Sequence, residues 1–209
     1  MRRLLLLALS SALFLSACST AATTQAQPPA NDAPNGGHGL ATPAPTPVPS
    51  IQVTIPPRDA DWITFAPYSG GFIAKFPVAP KLTTSTAKTT FGDSTTSLWA
   101  YTQDSTLSYY VQATAYPAGP LLSYESSTLY DAAINSLTGG SSGLALSAEN
   151  DVTLNGYAGK LFLLKNAVGS VKGEVVLAGS TVYIAFVAYT PSVDSGIVDA
   201  FLVDFTLSV

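Results

Sequence analysis

The sequence predicts an α+β domain, predominantly antiparallel β-sheet with two covering helices. Three observations carry that prediction. From about Asp59 onward apolar residues alternate with polar ones in runs rich in Thr, Val, Tyr and Phe, which suit a pleated, half-buried surface. Gly, Asn and Asp punctuate the runs, most sharply at Asn155-Gly156, whose residues tolerate the positive φ of a type I′ turn. Two segments change period from two to about three and a half, as amphipathic helices do. Residues 59–209 are therefore read as a single domain. A chain of about 150 residues hides roughly two thirds of its unfolded surface on folding, enough for one core.

In chain order, Trp62 to Phe65 and Phe72 to Phe76 flank a Ser69-Gly70-Gly71 turn and form a first hairpin. Pro77 and Pro80 stop its second strand, because proline cannot donate to a ladder. Thr84 to Phe91 and Thr95 to Thr102 flank Gly92-Asp93, and Leu107 to Tyr116 continues the meander until Pro117. Ala145 to Leu154 and Tyr157 to Lys165 form the hairpin around Asn155-Gly156, followed by Val171 to Leu177 and Thr181 to Tyr189. The nearly unbroken apolar run Val182 to Ala188 predicts a central strand covered on both faces, which requires further layers.

The helical segments supply them. In the first, about Ser126 to Leu137, a stripe joins Leu129, Ala133 and Leu137 with Tyr130 and Ile134. Thr128 and Asp131 have the spacing of a capping pair, and Gly139-Gly140 ends the segment. In the second, about Ser192 to Val203, the residues Val193, Ile197, Phe201 and Phe205 recur every four positions. Pro191 and Ser192 open it, and Asp194 suits the positive end of the helix dipole.

This succession contains an opening aromatic strand, Gly70-Gly71-Phe72 leading to Phe76-Pro77 and Pro80, and a long antiparallel sheet. A mid-chain helix, a hairpin pair and a closing helix into Phe205-Thr206-Leu207 complete it. Over about Asp61 to Val209 it resembles the PsbP/Mog1-like α/β sandwich. Members of that group recur as lipid-anchored or exported bacterial proteins, and as photosystem II-associated or small-GTPase-associated proteins. The resemblance implies a non-enzymatic binding or assembly module. No residue matches a defined ligand or metal site of those relatives, so none is carried over.

Ahead of the domain, residues 1–17 have the layout of an export signal: basic Arg2 and Arg3, an apolar run from Leu4 to Phe14, then small residues. The uncharged stretch Leu4 to Ala17 falls short of the about 20 residues that cross a bilayer core. Leu15-Ser16-Ala17-Cys18 resembles the lipobox of bacterial lipoproteins. That resemblance implies a diacylglyceryl group on the Cys18 sulfur and cleavage just before it. Two or more acyl chains anchor stably where one does not. The expected partner is thus a bacterial membrane, cytoplasmic or outer, reached through lipid on Cys18, with the domain facing the periplasm or exterior. Cys18 is the only cysteine, so neither a disulfide nor a cysteine metal site is available.

Residues 18–58 are read as a disordered linker of Ala, Thr, Pro, Gly and Gln, with Asp32 the only charge before Arg58. Alternating Pro43, Pro45, Pro47 and Pro49 favour polyproline II, and at about 3.1 Å per residue some 40 residues reach on the order of 100 Å. His38, the only histidine, lies between glycines there without a positioned partner.

The domain's chemistry is sparse. Lacking cysteine and histidine it cannot assemble a Ser-His-Asp or Cys-His site. Thr138 to Gly143 lacks the Lys-Ser or Lys-Thr of a phosphate loop. Asp104, Glu125, Asp131, Glu149, Asp151 and Glu174 leave open a two-carboxylate hydrolase of envelope polymers, although no spacing pairs two of them. A surface-coat subunit presenting a large apolar patch is a third reading. Asn150, Asp151 and Asn155 offer oxygen ligands near a turn, short of the six that calcium takes. No cofactor or metal is expected.

Loss of Arg2 and Arg3 with the signal takes the formal charge from −4 to −6, which opposes nucleic-acid binding and adsorption to anionic lipid. An unidentified protein or envelope component is the expected partner, in an oligomeric state the sequence leaves open. Hydroxyls along Thr83 to Thr96 suit either glycan contact or a plain solvated face. Tyr109, Tyr116 and Tyr124 are the candidate ligand residues, where the strand ending at Tyr116 meets the 117–128 connection.

Overall fold

A computed structural model of the chain describes residues 61–89, 91–117, 119, 124–139 and 142–208. The signal over 1–17, the linker over 18–58, Cys18 and His38 lie outside the described residues. Within them the order is β1 (Ile63–Phe65), β2 (Phe72–Phe76), β3 (Lys81–Thr89), β4 (Gly92–Thr102) and β5 (Leu107–Ala115). There follow α1 (Ser126–Thr138), β6 (Ala145–Leu154), β7 (Tyr157–Lys165), β8 (Ser170–Ala178), β9 (Thr181–Tyr189), α2 (Ser195–Val203) and β10 (Thr206–Leu207).

Seven strands form one antiparallel sheet in the order β3-β4-β5-β9-β8-β7-β6. Each hairpin follows from its turn. At the β6–β7 corner Asn155 and Gly156 take φ of 50° and 86°, as the type I′ reading requires. Strand β9 lies between β5 and β8 and is buried from Val182 to Val187, which is the two-faced burial its apolar run predicts. The sheet thus joins two meanders along the β5–β9 seam, with Val111 opposite Ala185.

The smaller sheet has the order β1-β2-β10 and lies against one face of the larger one together with α2. Phe72, Phe76, Trp99, Tyr109, Phe201 and Phe205 meet in that core. Ring centroids stand 4.9 Å apart for Phe72 and Trp99 and 5.2 Å for Phe76 and Phe201, both edge to face, the arrangement ring quadrupoles favour. On the opposite face α1 covers a second core of Leu129, Tyr130, Ile134, Phe162, Val175 and Ile184.

Several boundaries depart from the sequence reading for local reasons. Strand β3 begins at Lys81, three residues before Thr84, because it pairs in unbroken register with β4 from Lys81↔Ala100 to Thr89↔Gly92. The α1 cap falls on Glu125 and makes no side-chain bond, so Thr128 sits inside the first turn and forms no capping pair with Asp131. Helix α2 begins at Ser195, not Ser192. The Val193 N–H donates to the Thr190 carbonyl in a preceding turn, and Asp194 is the cap, accepting from the Gly196 N–H at 2.9 Å. Strand β10, unread as a strand in the sequence, is held by Asn155 Oδ1, which accepts from the Leu207 N–H at 2.9 Å.

Candidate functional site

The two faces of the large sheet are covered unequally. A helix of 13 residues is about 20 Å long and about 10 Å across, whereas seven strands at nearly 5 Å spacing span roughly 30 Å. Helix α1 lies over β7, β8 and β9, fixed there by the Tyr130 hydroxyl, which donates to the Ala158 carbonyl at 2.6 Å. Among the described residues no further helix of the sheet's length covers the β3–β4–β5 part of that face, and an open cavity of about 580 Å³ runs between it and the flank of α1. Its volume falls in the range of small-molecule sites, roughly 300–1,000 Å³.

Strand register builds the floor. One cross-strand row runs Ser85, Thr96, Thr114, Val182, and Gln112 stands opposite Ile184 in the next. The floor therefore changes from hydroxyls near the β3 edge to aliphatic carbons at the sheet centre. Leu129, Ala132, Ala133 and Ser136 of α1 form one wall. Phe91 and Tyr116 line the groove with ring centroids 5.7 Å apart, and Tyr124 packs on Phe91 at 4.6 Å. Burial raises the Tyr116 phenol above its ordinary pKa, so it stays a neutral hydroxyl.

The polar floor is sunk deeply: Ser94, Thr114 and Gln112 are only 3 %, 7 % and 8 % exposed. Gln112 Nε2 donates to Thr114 Oγ1 at 3.2 Å, and Thr114 Oγ1 and Thr96 Oγ1 are 3.0 Å apart. Ser94 Oγ donates to the Ala87 carbonyl at 3.3 Å. Among the described lining residues Lys88 alone is of a charged type, and none is a carboxylate. A site so composed can hold an apolar body and hydrogen-bond one polar group of it.

Of the three tyrosines proposed from the sequence, Tyr116 lines this groove and Tyr124 packs on its Phe91. Tyr109 does not join them. It is 1 % exposed in the core of the other face, against Trp62 at 5.3 Å and Phe201 at 5.2 Å. The period of a strand separates them, since odd and even positions of β5 point to opposite faces. Gln112 and Thr114 went unread although parity marks them: they follow Tyr110 and precede Tyr116 on one face, two polar side chains in the middle of a buried strand.

Of the six candidate carboxylates only Glu149 and Asp151 are brought together, and a lysine lies between them. Glu149 and Asp151 both hold Lys160 Nζ at 2.9 Å on the β6–β7 hairpin, which raises the lysine pKa. Asp104 accepts from the Thr106 hydroxyl and N–H, which lowers its pKa. Glu125 and Asp131 belong to the exposed start and outer side of α1. Glu174 is buried on the far face of the sheet, where Lys172 and Asp199 form an ion pair beneath α2. Asn155 is committed to Leu207, and among the described residues no three His, Cys, Asp or Glu are grouped to hold a metal ion. No helix of the described residues is long and apolar enough to cross a membrane.

A large antiparallel sheet backed by a small sheet and a helix on one face, with a second helix on the other, is a PsbP-like α+β fold in which β structure dominates. The solution structure of CyanoP, the cyanobacterial PsbP of Synechocystis sp. PCC 6803, matches it with a TM-score of 0.50 over 71 % of this chain and 93 % of that one. The two sequences are 9 % identical, so the likeness is one of fold. A Pseudomonas aeruginosa protein of unknown function, PA94, aligns at 9 % identity and a TM-score of 0.32 over 64 % of this chain and 85 % of that one. No family model matches the sequence, and no curated protein does.

Proposed function

We propose that this chain is a lipid-anchored extracytoplasmic binding module without catalytic activity, and that the groove between α1 and the β3–β4–β5 surface is where it binds. The anchor is the acylated Cys18 of a PsbP/Mog1-like lipoprotein, and residues 18–58 serve as the stalk. One observation supports the binding site above all: a groove of about 580 Å³ whose floor contains buried Ser94, Gln112 and Thr114 beside an aliphatic wall. Folding pays to bury polar side chains, so polar groups on a cavity floor suit a ligand that hydrogen-bonds. The rival reading, an envelope-polymer hydrolase, gains no support from carboxylates engaged by Lys160 or placed on the far face.

Membrane fractionation combined with co-purification tests this reading. The full chain is expected in the membrane fraction and Cys18→Ala in the soluble one, with the same specific companion recovered by both and lost on Ala133→Phe, which fills the groove. A Cys18→Ala form that stays with the membrane contradicts the anchor; a companion insensitive to Ala133→Phe contradicts the groove.

A further inference from the structure

The two edges of the large sheet are finished differently. At β6 the ladder shifts between Leu146 and Ala148, and Glu149 and Asp151 both hold Lys160, the irregularity and charge that keep other strands from adding to an edge. At the other end β3 pairs with β4 without a break from Lys81 to Thr89 and is exposed along eight of its nine residues. Between its lysines, Lys81 and Lys88, the run Leu82 to Ala87 is uncharged. Every second residue of such a strand turns its backbone N–H and carbonyl outward, a template for one more strand. Leu82 adds an apolar foothold: it is 56 % exposed, although its partner on β4, Trp99, is 4 % exposed.

The chain itself delivers a strand-like segment to this edge. Ile51-Gln52-Val53-Thr54-Ile55 alternates apolar and polar residues, is rich in β-branched side chains, carries no charge and is bounded by Pro49 and Pro56. Ile51 and Ile55 are the only isoleucines of residues 18–58. Trp62 fixes where the chain enters the domain, since its ring stands 5.3 Å from that of Tyr109 on β5. Tyr109 is level with Tyr101 of β4, whose neighbour Ala100 is level with Lys81, the first residue of β3. At nearly 5 Å per strand, Trp62 is about 10 Å across the sheet from the start of β3, and about 15 Å from a strand added beyond it. The chain from Ile55 to Asp61 covers up to about 20 Å. Because β3 runs away from that level, a segment traced backward from it lies antiparallel to β3.

From the unbroken edge and the point of entry, we propose that residues 51–55 of the same chain dock on β3 as a further antiparallel strand of the large sheet, with Ile55 opposite Leu82, Val53 opposite Thr84 and Ile51 opposite Thr86. Directly paired residues share a face, so this register sets Ile51, Val53 and Ile55 on the side of Leu82 and Trp99, where they extend the core beneath the small sheet. A slip of one residue turns all three toward Lys81, Thr83 and Ser85. The short connection over 56–61 gives the chain's own segment an effective concentration in the millimolar range, which favours it over the same segment of a second copy. Docking moves the origin of the stalk to Ser50, opposite Ala87 at the rim of the groove. Residues 18–50 remain as stalk and still reach on the order of 100 Å at about 3.1 Å each.

Disulfide trapping and hydrogen exchange test the proposal in the full chain carrying Cys18→Ala. Val53→Cys combined with Thr84→Cys should oxidise to a disulfide within one molecule, because directly opposite residues bring their Cβ atoms to about 4.5–5.5 Å. Val53→Cys combined with Thr64→Cys, on the free edge of β1, should not. In the chain without added cysteines, alternate amides from Leu82 to Ala87 should exchange at least about tenfold more slowly than in Val53→Pro, which interrupts the added ladder. The amides of β9 should exchange alike in both and so report an intact domain. Ile51→Ser combined with Ile55→Ser keeps the backbone donors, removes the apolar face and should lose the same protection. Equal exchange of β3 in all these chains, a disulfide that forms as readily at residue 64, or failure of the 53–84 pair to cross-link within one molecule overturns the proposal.

Discussion

Glu174 is the residue with the most unusual surroundings. It points with its register neighbours Leu161 and Ala185 into the core beneath the small sheet, and its Oε1 is sealed from water without a hydrogen-bond partner. Lys172, two residues away on the same strand face, is engaged by Asp199 of α2. Burial raises the Glu174 carboxyl pKa from 4.5 to about 8, so the folded protein keeps it protonated at neutral pH. The folded state then binds one proton more than the unfolded state between those two values. Stability due to this group is complete below about pH 4.5 and is lost progressively as the pH rises through 8. At about 1.4 kcal/mol per pH unit, that loss is on the order of 5 kcal/mol over the window. Glu174→Gln, which keeps the shape and removes the titration, should leave the melting temperature at pH 4 nearly unchanged and raise it at pH 8. Parallel pH dependence in both proteins would refute the assignment. Composition reveals Glu174 only as one acid among thirteen; its burial depends on where β8 falls in the sheet order.

Among the elements, β8 also shows how little room its neighbouring strands β7 and β9 leave between them. Gly173 has no room for a side chain: a Cβ there would lie 2.6 Å from the Ala185 carbonyl oxygen and 2.7 Å from the Phe162 ring. Gly173→Ala should therefore cost about 1–3 kcal/mol through overpacking beneath α1, read as a lower denaturant midpoint with an unchanged slope. A midpoint equal to the parent's would show that the rings yield freely. Hairpins were the elements most legible in the sequence, because turn chemistry is local: Asn155 and Gly156 adopt the positive φ their residues allow, whereas Gly92 and Asp93, read as a turn, are the first residues of β4 and pair with Thr89 and Lys88. Helix starts were less legible. Ser192, Thr128 and Asp131 all have cap-forming side chains, and only tertiary placement decides that Glu125 and Asp194 occupy the cap positions. The groove was legible at one end. Tyr116 marks it, while pairing Tyr116 with Tyr109 overlooks strand parity.

At the scale of the whole molecule the decisive feature is one sheet with two unequal covers. The β5–β9 pairing joins residues far apart in sequence, and no local pattern encodes it, although the apolar run of β9 correctly demanded a central position. The small sheet and α2 fill one face; α1 fills only part of the other and leaves the groove. That asymmetry gives the proposed stalk a purpose. On the proposed reading, about 40 residues in polyproline II geometry would let the groove operate up to roughly 100 Å from the bilayer, and acylation of Cys18 would keep it in the envelope. Native mass spectrometry of the protein extracted from membranes tests both parts together. The account predicts a mature chain that begins at an acylated Cys18 and carries one non-covalent small molecule, which is absent from Ala133→Phe. A different mature start, an unmodified thiol at Cys18, or an adduct retained by Ala133→Phe would contradict it.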